Sequence, residues 1–159
     1  MIYKGEPKEG IEFYKLLISS EDFTSELGKV ALASGKLEAE LICFLKRNRI
    51  EGKYERKPLG SLIALAEKHD LFNKNMIIAL KELSKQRNYI THNIYALFID
   101  LIEETTLEKT NLLDCDVNLY KERAWQLKLN LNGLADIIKE MNIRSSATTR
   151  FINLKQTYL

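Results

Sequence analysis

Apolar side chains recur every three or four residues along most of the chain. This spacing is typical of α-helices that bury one face, because 3.6 residues complete a helical turn. The clearest apolar stripe follows Ser20 and comprises Phe23, Leu27, Val30, Ser34, Leu37, Leu41 and Phe44. We therefore predict one long helix, N-capped by Ser20 and ending near Asn48, that packs lengthwise in a bundle.

The same spacing predicts further helices over residues 8–17, 58–69, 73–101 and 114–141. Pro58 suits the first turn of its helix, since the amide hydrogen that proline lacks has no helical partner there. The seven glycines and two prolines form no linker-like cluster, and no pair of alternating strands is evident. The sequence thus predicts a single all-α domain over residues 1–159, an up-and-down bundle of four to five helices. The polar tail, residues 142–159, is expected to be flexible or to dock late.

The composition, with 45% apolar and 29% charged residues, is typical of an ordinary globular protein. A net charge of +2 is too small to indicate nucleic-acid binding by itself, so any basic surface has to be local. Cys43 and Cys115 lie far apart and are predicted to be buried thiols. The longest apolar run, residues 95–102, is too short for a membrane span, and residues 1–10 do not resemble a signal peptide. These features predict a cytoplasmic protein with no membrane partner.

One charged residue interrupts the apolar stripe of the segment after Asn73. That stripe comprises Met76, Leu80, Leu83, Ile90, Ile94, Leu97 and Leu101, and the position between Leu83 and Ile90 is Arg87. Burying a guanidinium is costly unless it has a partner. Two explanations remain open: the side chain reaches the edge of the bundle or pairs with a carboxylate such as Glu38, or it belongs to a functional site.

His92, one of only two histidines, follows Arg87 by five residues. Five residues of a straight α-helix rotate by about 500°, so these two side chains should point about 140° apart. His92 should instead share a face with Asn88 and Tyr95. A site that uses both Arg87 and His92 therefore needs a bent or broken helix, or a second copy of the chain.

The segment Arg87-Asn88-Tyr89-Ile90-Thr91-His92 resembles the signature of the HEPN superfamily. That signature is an arginine followed after four to six residues by a histidine, commonly with asparagine directly after the arginine. The resemblance covers residues 23–101 and includes residues 58–63 and the helix that carries Glu38. It implies a metal-independent endoribonuclease without a cofactor, whose cleft is formed by two motifs across a homodimer. It also suggests a toxin or anti-phage effector with a neutralising antitoxin.

The residue types suit that chemistry. RNA supplies its own nucleophile, the 2′-hydroxyl, so the protein has only to transfer protons and stabilise charge. Imidazoles exchange protons near neutral pH, which makes His92 the candidate acid or base. Arg87 offers a fork of donors to phosphate oxygens, and Asn88 is a candidate to orient His92 or to bind the phosphate. Tyr95 is a candidate to stack on a base or donate its hydroxyl. The products would carry a 2′,3′-cyclic phosphate and a 5′-hydroxyl, and we identify no metal ligands.

A basic loop provides a second candidate contact with RNA. It contains Tyr54 and the cations Lys46, Arg47, Arg49, Lys53, Arg56 and Lys57. The alternative is an ordinary solvated loop whose cations complement the end of a helix. For the whole protein, two other functions remain open: a non-catalytic HEPN module for dimerisation or nucleotide binding, and a generic helical interaction domain in which Arg87 is merely paired.

Overall fold

A computed structural model describes residues 7–98 and 116–157 of the chain. The described residues form six α-helices: α1 (Pro7–Ser19), α2 (Glu21–Arg47), α3 (Leu59–Lys68), α4 (Lys74–Asn88), α5 (Ile94–Phe98) and α6 (Asp116–Thr157). A π-helical turn, Tyr89–Asn93, joins α4 to α5. No strand occurs within these ranges, so the prediction of an all-α bundle is confirmed.

Side-chain caps determine where two of the helices begin. The Ser20 hydroxyl accepts a hydrogen bond from the Phe23 N–H at 3.2 Å, as expected of the predicted N-cap of α2. The Asn73 carbonyl oxygen accepts from the Met76 N–H at 2.9 Å at the start of α4. Both bonds satisfy amide groups that have no partner within the helix. The C-cap of α2 is Asn48, also as predicted.

The core lies mainly between α2 and α6, which pack along much of their length. The predicted stripe of α2 is buried, apart from Leu27, which is partly buried. Two ion pairs show that the helices run parallel: Glu26 contacts Lys128 at 2.8 Å, and Lys36 contacts Asp136 at 2.6 Å. Residue numbers therefore rise together along both helices.

Helix α4 packs beside this pair in the opposite direction. Near the end of α2, the Phe44 ring stacks on Phe72, two residues before α4 begins, with ring centroids 4.7 Å apart. Further back along α2, Glu38 meets Arg87 near the end of α4. Helix direction thus alternates from α2 to α4 to α6. This arrangement places the last turn of α4 against the middle of α2.

Three sequence predictions are modified by the structure. The predicted helix over residues 73–101 is interrupted by the π turn, and its last predicted core residue, Leu101, lies outside the described residues. Helix α6 continues past the predicted end at Met141 to Thr157, since no glycine or proline interrupts it there. Cys43 is exposed rather than buried, because it lies off the apolar stripe of α2, and Cys115 lies outside the described residues.

None of the described helices is both long and apolar enough to cross a bilayer.

The Glu26 carboxylate links α2 to α6 and should make stability dependent on pH. The Lys128 ammonium, with a smaller effect of Lys29, holds the pKa of Glu26 below its usual range. A lowered folded-state pKa contributes stability that is fully present above the unfolded-state pKa and lost as pH falls through the folded-state pKa. We expect Glu26→Gln to destabilise the protein in urea at pH 6, and the difference from wild type to shrink towards pH 3.

A suitable control is Glu12→Gln, because the exposed ion pair of Glu12 with Lys15 stays within α1. Exposed pairs of this kind contribute little to stability. The Glu12 variant should therefore follow the wild type at both pH values. A destabilisation by Glu26→Gln that is the same at pH 6 and pH 3 would contradict the prediction.

Candidate functional site

The π turn between α4 and α5 brings residues five apart onto one face. A π-helix is hydrogen-bonded from residue i to i+5, whereas an α-helix is bonded from i to i+4. Tyr89 and Ile94, five residues apart, are both buried, with 1% and 7% of their surfaces exposed. Arg87 and His92 have the same separation and also meet. In a straight α-helix the Arg87 and His92 side chains would point about 140° apart. The π turn brings them together within one chain.

Arg87 and His92 are in direct polar contact. The distance from Arg87 Nη1 to His92 Nε2 is 3.3 Å. A guanidinium only donates hydrogen bonds, so this contact is a hydrogen bond in the tautomer of His92 whose Nε2 carries no proton. The His92 residue is exposed, whereas only 13% of the Arg87 side chain is exposed. The pair thus combines an enclosed cation with an imidazole that solvent can reach.

Glu38 of α2 holds the other side of the guanidinium. Its Oε1 atom lies 3.4 Å from Arg87 Nη2 and accepts the backbone N–H of Leu59, the first residue of α3, at 3.2 Å. Pairing with Glu38 is one of the two explanations of Arg87 that its place on the apolar stripe left open, and the structure shows this pair. One carboxylate oxygen therefore ties together α2, the beginning of α3 and the end of α4.

The guanidinium retains unused capacity to donate hydrogen bonds. Its contacts with Glu38 and His92, at 3.4 and 3.3 Å, are longer than the 2.7–2.9 Å of a strong charge-assisted bond. Arg87 Nε is enclosed, and no described residue accepts a hydrogen bond from it. An oxyanion that reaches the Nη atoms would therefore compete only with these two long contacts.

Thr91 is part of the site although the sequence analysis did not single it out. Its hydroxyl donates to the backbone carbonyl oxygen of Arg87 at 2.6 Å, across the start of the π turn. The sequence contains a signal for this turn. A polar pair, Arg87 with His92, and a hydrophobic pair, Tyr89 with Ile94, both have a spacing of five residues. That spacing suits a π turn rather than an α-helix.

The other two residues predicted for the site, Asn88 as catalytic and Tyr95 as supporting, occupy different surroundings. Asn88 is exposed and directly precedes the π turn. Tyr95 is 45% exposed, and its ring meets the edge of Tyr14 in α1, with centroids 5.0 Å apart. The predicted facing of His92 with Asn88 assumed a straight helix, and the structure places Arg87 against the imidazole instead.

The basic loop presents its cations to solvent, but its aromatic residue is not available for stacking. All six predicted cations are exposed, and Lys46 pairs with Glu55 at 3.3 Å. Tyr54 is only 3% exposed, and its hydroxyl donates to the Ile50 carbonyl oxygen at 3.1 Å. Tyr54 therefore anchors the loop to the core, because its ring packs with the other buried apolar residues. Its ring is therefore enclosed and not presented to a nucleic-acid base.

The end of this loop approaches the Arg87–His92 pair. Lys57 lies two residues before Leu59, whose N–H binds the same Glu38 oxygen that contacts Arg87. Two residues span at most about 7 Å. In contrast, Lys46 lies eight residues beyond Glu38 along α2, a distance of about 12 Å. A polyanion bound at Arg87 would meet the Lys57 end of the loop first.

No second copy of the chain is needed to bring Arg87 and His92 together, because the π turn unites them within one chain. The homodimer stays a prediction based on the HEPN resemblance. Among residues 7–98 and 116–157, no cluster of three or more His, Cys, Asp or Glu side chains has an arrangement that could bind a metal ion.

Comparisons with known proteins provide no independent identification. No family model matches the chain, and neither the curated proteins nor the solved structures include a significant match. The HEPN resemblance therefore rests on the Arg87–His92 segment and the all-α fold. What the chain itself establishes is an all-α bundle in which a π turn joins a guanidinium to an imidazole.

Proposed function

We propose that this protein is a metal-independent endoribonuclease that cleaves RNA at the Arg87–His92 pair. The observation that carries the proposal is the 3.3 Å contact between the enclosed guanidinium and the exposed imidazole. Cleavage by the 2′-hydroxyl requires a base near that hydroxyl and a cation near the phosphate. Arg87 and His92 provide both groups within the span of one phosphodiester.

In the proposed reaction, phosphate oxygens accept from Arg87, and its Nη1 then releases His92 Nε2. The neutral imidazole takes the proton of the 2′-hydroxyl, whose oxygen attacks phosphorus and forms the 2′,3′-cyclic phosphate. The bond from phosphorus to the 5′-oxygen breaks, and that oxygen takes a proton from water to become a 5′-hydroxyl. His92 then loses its proton to solvent, which its exposure permits. Arg87 stabilises the charge that accumulates on the phosphate.

The test uses purified protein and end-labelled RNA in excess EDTA. Cleavage should leave fragments with 2′,3′-cyclic phosphate and 5′-hydroxyl ends, since the 2′-hydroxyl is the nucleophile. An RNA of the same sequence with 2′-O-methyl groups throughout is the matched control and should remain intact. Cleavage of both substrates, or products with 5′-phosphates, would contradict the mechanism. If the wild-type protein leaves the unmodified RNA intact, the proposed ribonuclease activity is rejected.

A non-catalytic role is favoured by one observation, the contact of Arg87 with Glu38 and, through it, Leu59. A guanidinium paired with the carboxylate that joins three helices has a structural reason to be present without any substrate. In that case the protein would be a non-catalytic module for dimerisation or nucleotide binding. A folded, dimeric wild type that leaves every RNA intact would support this second function. The toxin role and a neutralising antitoxin remain proposals that follow from the resemblance.

The basic loop should contribute to RNA affinity rather than to the chemical step. We expect the triple variant Lys53→Gln, Arg56→Gln and Lys57→Gln to raise KM and leave kcat nearly unchanged. For each of these cations that binds a phosphate, its removal should reduce the slope of log affinity against log salt by about 0.7, the value for single strands. Fluorescence anisotropy at several salt concentrations would measure this slope.

A matched control makes the same charge change elsewhere, at Lys68, Lys74 and Lys139, which are also exposed. That triple variant to glutamine should keep the wild-type salt slope. Equal effects of the two triple variants would show that net charge, rather than the basic loop, attracts RNA.

A further inference from the structure

The π turn requires an explanation, because π-helical turns are rare and less favourable than continuous α-helix. Two interactions stabilise it. The first is burial of Tyr89 together with Ile94, which a straight helix would place on different faces. The second is the hydrogen bond of 2.6 Å from the Thr91 hydroxyl to the Arg87 carbonyl oxygen. Burial of Tyr89 and Ile94 holds the turn against the core, and the partly buried Thr91 hydroxyl bonds to the backbone at its start.

Thr91 is well placed to affect the functional pair. It directly precedes His92 and binds the backbone of Arg87, so its side chain links the two residues whose side chains meet. A threonine hydroxyl that bonds a carbonyl four residues earlier bends or opens a helix at that point. The branched side chain of Thr91 has few rotamers in a helix, and one of them makes this bond.

We propose that Thr91 is a positioning residue: its hydroxyl holds the π turn in the geometry that keeps His92 Nε2 against the Arg87 guanidinium. This inference deepens the proposed function and rests on it where catalysis is concerned. Its structural part, the control of the Arg87–His92 contact, is independent of any RNA cleavage. Without the hydroxyl, the segment should spend more time in ordinary α-helical geometry, in which the two side chains diverge.

The decisive comparison is Thr91→Val against Thr91→Ser. Valine preserves the branched shape and removes the hydroxyl, whereas serine retains the hydroxyl. In ¹⁵N NMR spectra of the imidazoles at high pH, wild type and Thr91→Ser should show His92 with its proton on Nδ1, because Nε2 accepts from Arg87. In Thr91→Val the His92 pattern should move towards that of His69, the exposed histidine that ends α3.

In RNA cleavage, we expect Thr91→Val to reduce kcat by roughly 10- to 100-fold with little change in KM, as for loss of a group that orients a catalytic side chain. Thr91→Ser should remain within about threefold of wild type on the same basis. If Thr91→Val fails to fold, judged by circular dichroism, Thr91→Ala removes the hydroxyl without adding bulk and replaces it in both measurements.

The two proposals can fail separately. If wild type leaves RNA intact but the His92 spectrum responds to Thr91→Val and not to Thr91→Ser, the nuclease proposal fails and the positioning role stands. If the His92 spectrum is the same in Thr91→Val and wild type, the positioning role is overturned whatever the RNA assay shows. A wild-type His92 with its proton mainly on Nε2 would overturn it as well.

Discussion

Replacing His92 with alanine should slow RNA cleavage by roughly 100- to 10,000-fold, the usual contribution of a general acid or base. The variant removes the proton acceptor beside the 2′-hydroxyl but leaves Arg87 and its contact with Glu38 in place. Because the His92 residue is exposed, the fold should be retained, with a stability change of about 0.5 kcal/mol or less. Single-turnover cleavage of end-labelled RNA in EDTA measures the rate.

His69→Ala is the matched control, since it removes the other histidine from an exposed position at the end of α3. It should cleave RNA at the wild-type rate. Equal rates for His92→Ala and wild type would exclude His92 as the base. A loss of activity that accompanies loss of helical structure would also count against the prediction, which requires a folded and inactive variant.

Arg87 is better tested by lysine than by alanine. Alanine would leave Glu38 partly buried without its cation, and destabilisation would then be mixed with any catalytic effect. Lysine keeps the positive charge but lacks the planar fork that binds two phosphate oxygens. A fold-preserving loss of cleavage in Arg87→Lys would therefore indicate that the fork contacts the phosphate.

The largest expected effect on stability comes from Leu37→Ala. Leu37 is fully buried in α2, in the core that α2 shares with α6. Removal of three buried carbon atoms should lower the free energy of unfolding by about 2–5 kcal/mol, through reduced apolar burial and the cavity that remains. For a domain of this size, that would lower Tm by about 5–20 °C. Urea unfolding followed by circular dichroism measures the free energy, and calorimetry measures Tm.

Leu32→Ala is the matched control, because Leu32 lies in the same helix and is 78% exposed. It should change the free energy of unfolding by about 0.5 kcal/mol or less. The two leucines are chemically identical and differ in the face of α2 that carries them. Equal destabilisation by both substitutions would contradict the assignment of the core face.

These experiments separate the fold from its function. Leu37→Ala tests the packing between α2 and α6, whereas the His92, Arg87 and Thr91 variants test a few atoms at the end of α4. A catalytic site of this kind depends on groups being positioned to within about 1 Å. A shift of that size at the end of α4 does not disturb the packing of the core. Loss of cleavage without loss of stability is therefore the result that would connect the Arg87–His92 pair to an activity.

Much of the fold could be predicted from the sequence, because its determinants are local. The Ser20 and Asn73 caps lie within three residues of the amides that they bind, and the apolar stripe of α2 expresses the helical repeat directly. The predicted end of a helix was wrong where no local signal marked it. Helix α6 passes Met141 because fading apolar periodicity does not by itself stop a helix.

The candidate site, like the fold, was determined partly by the sequence alone and partly by the tertiary structure. By itself, the sequence determined the all-α class and identified Arg87 as a cation on an apolar stripe, because residue type and spacing are properties of the chain alone. Only the tertiary structure decided that Glu38 reaches this guanidinium, that Tyr54 is buried, and that His92 turns towards Arg87. The physical reason is that each of these outcomes depends on packing against other parts of the chain. In particular, the π turn places both Tyr89 and Ile94 in the core, where they contact residues from other helices.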